Sequence, residues 1–325
     1  MSDSNAQYVA AVSTQLNNVP QQMQSKLQDA VVYDPAYSDP GTAFYLDDRG
    51  TTDPKEATSK GGRIEPRELQ GFRRGGYFEA DQDWFYEFDE DRVAMLLNPL
   101  NTDVQSLMAG KERKKDWDII NKVMLGTTYK ASGSQTNAPL DTPVVFPSSQ
   151  IILDDNRDDL HDDEALKVAA SGPLHLTVGK LITAGKMLDG SLVDGQKFVA
   201  VDEFAIANLL ASTPTTSAYY SDVKALNSGK VDEFLGFRFK KFANKTGILP
   251  GYVATGSLAA TSYVAWLDKG VHYNERAITN VTVAKDITVE GHPTQVYYKR
   301  QRAGARRYED AVVQINCTRL RRLAS

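Results

Sequence analysis

The stretch from Asn101 to Lys130, NTDVQSLMAGKERKKDWDIINKVMLGTTYK, constrains this chain more than any other. Val104, Leu107 and Met108, then Trp117, Ile120, Val123 and Met124, recur at three- and four-residue spacings, which places them on one stripe of an α-helix. Lys111, Arg113, Lys114, Asp116 and Asp118 take its other faces. Thr102 or Asn101 can cap the start, Pro99 cannot extend it backwards, and Gly126 weakens the far end before the polar loop SGSQTN. The spacing predicts one amphipathic helix, roughly 40 Å long at about 1.5 Å per residue. Such a helix is a beam, better suited to a scaffold than to a pocket.

With 325 residues the chain exceeds one typical core, so two packed regions are expected. A hydrophobic content of 41% beside 24% charged residues is enough to bury a core. Lys+Arg 37 against Asp+Glu 42 leaves a formal charge of −5, so no global basic field draws the surface to nucleic acid. The single cysteine, Cys317, excludes an intrachain disulfide and a thiolate cluster, and its alternating neighbours VVQINCTRL read as a strand that buries it. No apolar run is long enough for a membrane span, and the first residues lack the basic start of a secretory signal. The chain is therefore expected to stay where it is made, with no membrane partner.

Residues 1–33 carry two short helical stripes, Tyr8, Val9, Val12 and Leu16, then Met23, Leu27 and Val31, interrupted by Pro20. They have too little apolar surface to fold alone, which predicts an arm laid against something else. Residues 34–62 are loop-like, with three Asp-Pro pairs and Gly61-Gly62. Then Arg63, Arg67, Arg73 and Arg74 stand among Gly62, Gly71, Gly75 and Gly76, followed by strand-forming aromatics that include Trp84, Phe85 and Tyr86. Two strands have no core of their own, so this β excursion packs either on its own domain or over a neighbouring subunit.

After the beam, DDNRDDLHDDEALK gathers seven acidic residues around His161, among them Asp158 and Asp162. Hard cations take several carboxylate oxygens, but the run lacks the glycine and ligand spacing of a calcium loop and reads better as a solvated loop. From Thr177 the pattern is regular: LTVGKLITAGKMLDG ends at Gly190, QKFVAV is an apolar strand, DEFAIANLLAS starts at the capping Asp202, YYSDVKAL is a short helix and FLGFRFKKF a half-buried strand. This predicts a sheet backed by helices. Three β runs close the chain, and their Lys299, Arg300, Arg302, Arg306, Arg307, Arg319, Arg321 and Arg322 make that end basic. Charge segregated in this way suits contacts between copies of one chain.

No phosphate loop, GxSxG elbow, HExxH or CxxC is present, and none of His161, His175, His272 and His292 has a partner at ligand spacing. The sequence offers no catalytic residue and calls for no cofactor. It lacks a recognition helix, so any contact with DNA is expected to be non-specific.

The order of pieces is distinctive: the arm QYVAAVSTQLNNVPQQMQSKLQDAV, the Gly/Arg-bounded excursion, DWFYEFDEDRV leading into NPLNTD, and a helix ending WDIINKVMLG. LTVGKLITAGKMLDG, FVAVDEFAIANLL, NSGKVDEFLGFRFKKF and RAGARRYEDAVVQINC follow. In this order the chain resembles the major capsid proteins of tailed bacteriophages with the Hong Kong 97 fold. The resemblance implies an α+β fold with an N-terminal arm (1–41), an extended hairpin or E-loop (42–79) and a peripheral domain (80–173) whose spine helix spans 102–130. An α/β axial domain (174–271) and peripheral return strands (272–325), chiefly Ala277 to Leu320, complete it. It implies a shell of hexamers and pentamers around packaged DNA, in the virion after assembly in the host cytoplasm. A separate scaffolding protein, a portal and a decoration protein are its implied partners, and the short arm argues against maturation cleavage. Arg63, Arg67, Arg73, Arg74 and Trp84 are the expected contacts between subunits, with Leu107, Trp117, Ile120 and Met124 anchoring the spine. Two alternatives stand beside it: a cellular encapsulin-type nanocompartment of the same fold, and a divalent-metal-dependent hydrolase using Asp154 to Glu164.

Overall fold

A computed structural model describes residues 22, 24–34, 41–49, 71–87, 100–131, 139–154, 175–191, 193–213, 219–229, 232–243, 246–253, 259–286, 288–290 and 293–318. Three sheets organise them. In the first, β1 (Val32–Asp34), β13 (Val271–Lys285), β14 (Thr294–Arg306) and β4 (Glu79–Glu87) lie side by side in that order. The second runs β7 (Ile151–Ile152), β15 (Val312–Thr318), β12 (Ala259–Leu267), β8 (Lys197–Asp202), β10 (Phe237–Phe242) and β9 (Glu233–Phe234), with β11 (Gly251–Val253) also paired to β12. The third joins β2 (Ala43–Arg49), β3 (Gly71–Tyr77), β5 (Thr128–Ala131) and β6 (Leu140–Val144).

Helices α2 (Val178–Asp189), α3 (Glu203–Ser212) and α4 (Tyr220–Asn227) cover one face of the second sheet. Alternation along β8 explains the layering: Val199 and Val201 meet these helices, while Phe198 and Ala200 point to a second core on the opposite face. Asp202 caps its helix as expected, accepting from the Ala205 amide at 2.8 Å and from the Tyr263 hydroxyl at 2.8 Å, and Thr177 accepts from the Lys180 amide. Thr102 and Asn101, the caps expected for the beam, lie inside its helix, which begins at Leu100. Cys317 is buried as expected, and burial pushes its thiol up to about 12.

The beam departs from its predicted length. Helix α1 spans Leu100–Asp118 and passes into a π-helical turn, Ile119–Met124, in which the Leu125 amide bonds back to Ile120. Thr128 to Lys130 leave the helix for β5. A Cβ on Gly126 would stand 2.1 Å from the Lys122 carbonyl oxygen, and the β-branched Thr127 and Thr128 follow it. The orphan carbonyls at this end bond to Arg306, which is fully buried and donates to Met124 O at 2.7 Å, Gly126 O at 2.6 Å and Val123 O at 3.3 Å. Burial depresses that guanidinium to about 10.

The predicted division of the last fifty residues changes too, because β15 pairs with β12 in the helix-backed sheet and not with β13 or β14. The stripe Leu27 and Val31 forms bends and a strand entry, not a helix. Its amides go instead to a side chain of α1: Asp116 accepts from Ser25 Oγ at 2.6 Å and from the Lys26 and Leu27 amides at 3.2 Å.

The largest correction concerns charge. Asp116 and Asp118, assigned to faces of the beam away from its apolar stripe, are buried, as are Lys115 beside them and Arg300, Arg302 and Arg306 of the basic end. Arg302 Nε sits 2.5 Å from Asp118 and its Nη1 3.1 Å from Asp81, while Arg300 reaches Asp81 at 3.1 Å and Glu275 at 3.3 Å. Lys115 and Lys111 close on Glu275 at 3.1 and 3.3 Å. Burial works against Glu275, yet Arg300, Lys115 and Lys111 hold it below the ordinary carboxylate range. At Asp118 burial wins over Arg302, Lys114 and Lys122, and the group rises to about 6.

Two outcomes are expected from this packing. Asp118 has a folded pKa above its unfolded one, so its contribution is most favourable below about pH 4 and is lost as pH rises through 6. Urea unfolding of wild type and Asp118→Asn across pH 4–7 should therefore show wild type losing up to about 3 kcal/mol relative to the variant. A Cβ at Gly304 would meet Val123 Cγ2 at 2.6 Å and the His272 carbonyl at 2.8 Å, so Gly304→Ala should lower stability by about 2 kcal/mol in the same assay.

Candidate functional site

The β excursion is an antiparallel hairpin, β2 against β3, with Ala43 opposite Tyr77 and Arg49 opposite Gly71. Its base packs on its own body. Gly75 and Gly76, the pair that marks this excursion in the sequence, permit the approach, because a Cβ on Gly76 would lie 2.4 Å from Gly304 O on β14. Arg74 and Gly75 also pair with Lys130 and Tyr129 of β5. The hairpin exposes Tyr45 on one face and, nearer its far end, Phe72 on the other, the latter 47% accessible. Those apolar side chains are what two strands cannot cover for themselves.

The expected contact arginines divide. Arg73 Nε donates to Asp47 Oδ1 at 2.7 Å and its guanidinium stands 4.8 Å from the Tyr45 ring, so it fastens the two hairpin strands together. Arg74 grips Glu309 through both terminal nitrogens and ties the hairpin to the turn after β14, which, with Arg306, holds Glu309 below the usual carboxylate range against the opposing effect of burial. Both arginines thus have partners within the chain, in place of the neighbouring acids predicted for them. Arg63 and Arg67 lie outside the described residues, as do Asp158 and Asp162 of the acidic run. Trp84 is 52% exposed on β4, an edge of the first sheet, and meets Tyr86 edge-to-face at 5.0 Å.

The spine anchors hold their places unequally. Ile120 and Met124 are fully buried, and Leu107 packs with Val296 and Tyr298. Trp117 is only half-buried, its ring 3.8 Å from the Lys114 ammonium. Sequence reasoning missed Asp116, Asp118 and Glu275, which organise the interior. Two aspartates flanking Trp117 inside an apolar stripe were the available signal.

Between residues 24–33 and β10 lies an open cleft of about 1470 Å³, where Lys240 pairs with Asp29 at 2.6 Å. Its shape and paired charges are those of a surface groove, with no converging nucleophile and base. Among the described residues no three His, Cys, Asp or Glu side chains gather as metal ligands, and no helix is long and apolar enough to cross a membrane. His175 and His272 lie on separate elements, and burial depresses His175.

Comparison with solved structures finds the same fold in phage heads. The capsid of Ralstonia phage GP4 superposes with a TM-score of 0.66 at 10% identity, covering 94% of each chain. The capsid of cyanophage Pam1 gives 0.61 at 10% identity, over 91% of this chain and 92% of that one. The acid-stable capsid of Helicobacter pylori bacteriophage KHP30 gives 0.59 at 9% identity, over 89% and 88%. Identities this low establish the fold, the Hong Kong 97-type mixture of helix and sheet expected from the order of elements. No curated protein matches the chain. A family model described as phage capsid protein matches residues 4–319, and across nearly its whole length the chain belongs to the phage capsid protein family.

Proposed function

We propose that this structural, non-enzymatic protein is the major shell subunit of a tailed-phage head, which associates into hexamers and pentamers around packaged DNA. The family match over residues 4–319 carries the reading. It favours a phage head over a cellular nanocompartment and leaves no support for a hydrolase at Asp154 to Glu164.

In this proposal the subunit divides as an arm (1–41), an E-loop (42–79), a peripheral region with the spine and an axial region centred on the helix-backed sheet. The hairpin, seated at its base by Gly76 and Gly304, lays Phe72 on a neighbouring subunit, and Trp84 on the β4 edge is a second contact. Arg73 and Arg74 act before assembly, by fixing the angle at which the hairpin leaves the body. A shell interface of this kind exceeds the roughly 1,600 Å² of a standard pairwise contact, and closure adds avidity. A scaffolding protein, a portal and a decoration protein complete the assembly in the host cytoplasm, and DNA is held without sequence preference.

Phe72→Asp combined with Trp84→Asp is expected to give a folded subunit, with unchanged circular dichroism, that forms no shells when expressed with its scaffolding protein and viewed by negative-stain electron microscopy. Normal particles from the double variant would remove the hairpin and β4 edge from the interface.

A further inference from the structure

Beneath the hairpin base is a cavity of about 300 Å³ that the shell reading does not use. The end of the beam and the strand after it contribute Asp118, Asn121, Lys122 and Tyr129, the hairpin contributes Tyr77, and the first sheet contributes Glu79, Tyr273 and Arg302. It is small for a nucleotide but of the size that holds a compact ligand.

Its floor contains polar groups left without partners. Tyr273 is 1% exposed, and its hydroxyl makes no hydrogen bond. Asp118 is equally buried. Its Oδ2 is engaged by Arg302, while its Oδ1 accepts no hydrogen bond and has Lys114 at 3.6 Å. The cations on the wall already stand in ion pairs, Arg302 with Asp118, Asp81 and Glu79, and Lys122 with Glu79, although Arg302 Nε and Nη1 make theirs without hydrogen-bond alignment. Left outside those pairs are a carboxylate oxygen and a phenol hydroxyl, both out of water, where each unpaired group is costly. Towards the mouth, Tyr77 and Tyr129 meet edge-to-face at 5.0 Å, and Tyr77 is 45% exposed.

An acceptor floor under an aromatic mouth selects a ligand with several N–H donors, a positive charge and a short apolar stem. A divalent metal fits less well, because it takes six or more oxygens and the described residues offer no three-carboxylate cluster here. We propose that this cavity binds a small alkylammonium ion, the ammonium group donating to Asp118 Oδ1 and Tyr273 Oη and its methylenes lying against the Tyr77 and Tyr129 ring pair. Near pH 7.5 the floor is ready for it. Burial holds Tyr273 neutral, and Asp118, raised to about 6 by burial against the pull of Arg302, Lys114 and Lys122, is ionised. The occupant would join β4, the hairpin base, the beam and β13 through one molecule, without any second subunit.

The test is isothermal titration calorimetry of the full chain with 1,4-diaminobutane at pH 7.5 and fixed ionic strength, with magnesium chloride as a parallel titrant. Wild type should give saturable heat near one site per chain. Tyr273→Phe, which keeps the ring and removes one acceptor, should weaken binding about tenfold, and Asp118→Asn should remove it. The proposal falls if wild type shows no saturable heat, if Tyr273→Phe binds as wild type does, or if magnesium gives the same isotherm. Tyr273→Phe decides alone should Asp118→Asn fail to fold. Shell formation is not read in this experiment, so its result stands apart from the assembly proposal.

Discussion

Everything in this fold depends on how the beam is fastened to the long strands beneath it. A helix with one apolar stripe would rest on a sheet through that stripe alone. Here the polar sides are fastened as well: Asp118 to Arg302, and Lys111 and Lys115 to Glu275, with Arg300 bridging Glu275 and Asp81. Taking these charges out of water is expensive, and such a cluster contributes specificity of placement more surely than net stability. Register is what it fixes. β4, β13, β14 and α1 can meet in one arrangement only, because a slip along any of them strands a buried charge.

The same logic governs the N-terminal segment. Asp116 spends its carboxylate on Ser25 and the amides of Lys26 and Leu27, and Trp266 Nε1 donates to Ala30 O at 2.7 Å. Leu27 and Ala30 thereby enter the core between the beam and the helix-backed sheet. Residues 25–31 are thus part of the body.

Local rules were enough for the helix-backed region. Asp202 as a cap, Gly190 as a stop and the period-two pattern of β10 depend on neighbours a few residues away, and they are legible in the sequence. The order of these pieces also pointed to the capsid family. What escaped depends on contacts across the chain. Asp118 reads as a solvent-facing residue until Arg302, far along the chain, is laid over it. Thr128 and Tyr129 extend a helical pattern until β3 and β6 offer them a ladder. Arg300 and Arg306 look like a basic surface because a strand pattern does not reveal which face a helix will cover. Trp84 was named as a contact from its type and place and lies exposed at a sheet edge, while the partners of Arg73 and Arg74 within the chain, Asp47 and Glu309, went unforeseen.

The contact of Gly76 with Gly304 has a mechanical consequence. Where two backbones touch with no side chain between them, there is nothing compressible at the pivot. A seven-residue strand such as β2 reaches about 24 Å from it. Tilting that strand by about 5° would carry its far end roughly 2 Å, a displacement comparable to a change of packing partner. The hairpin is thus a lever whose fulcrum is made of peptide planes.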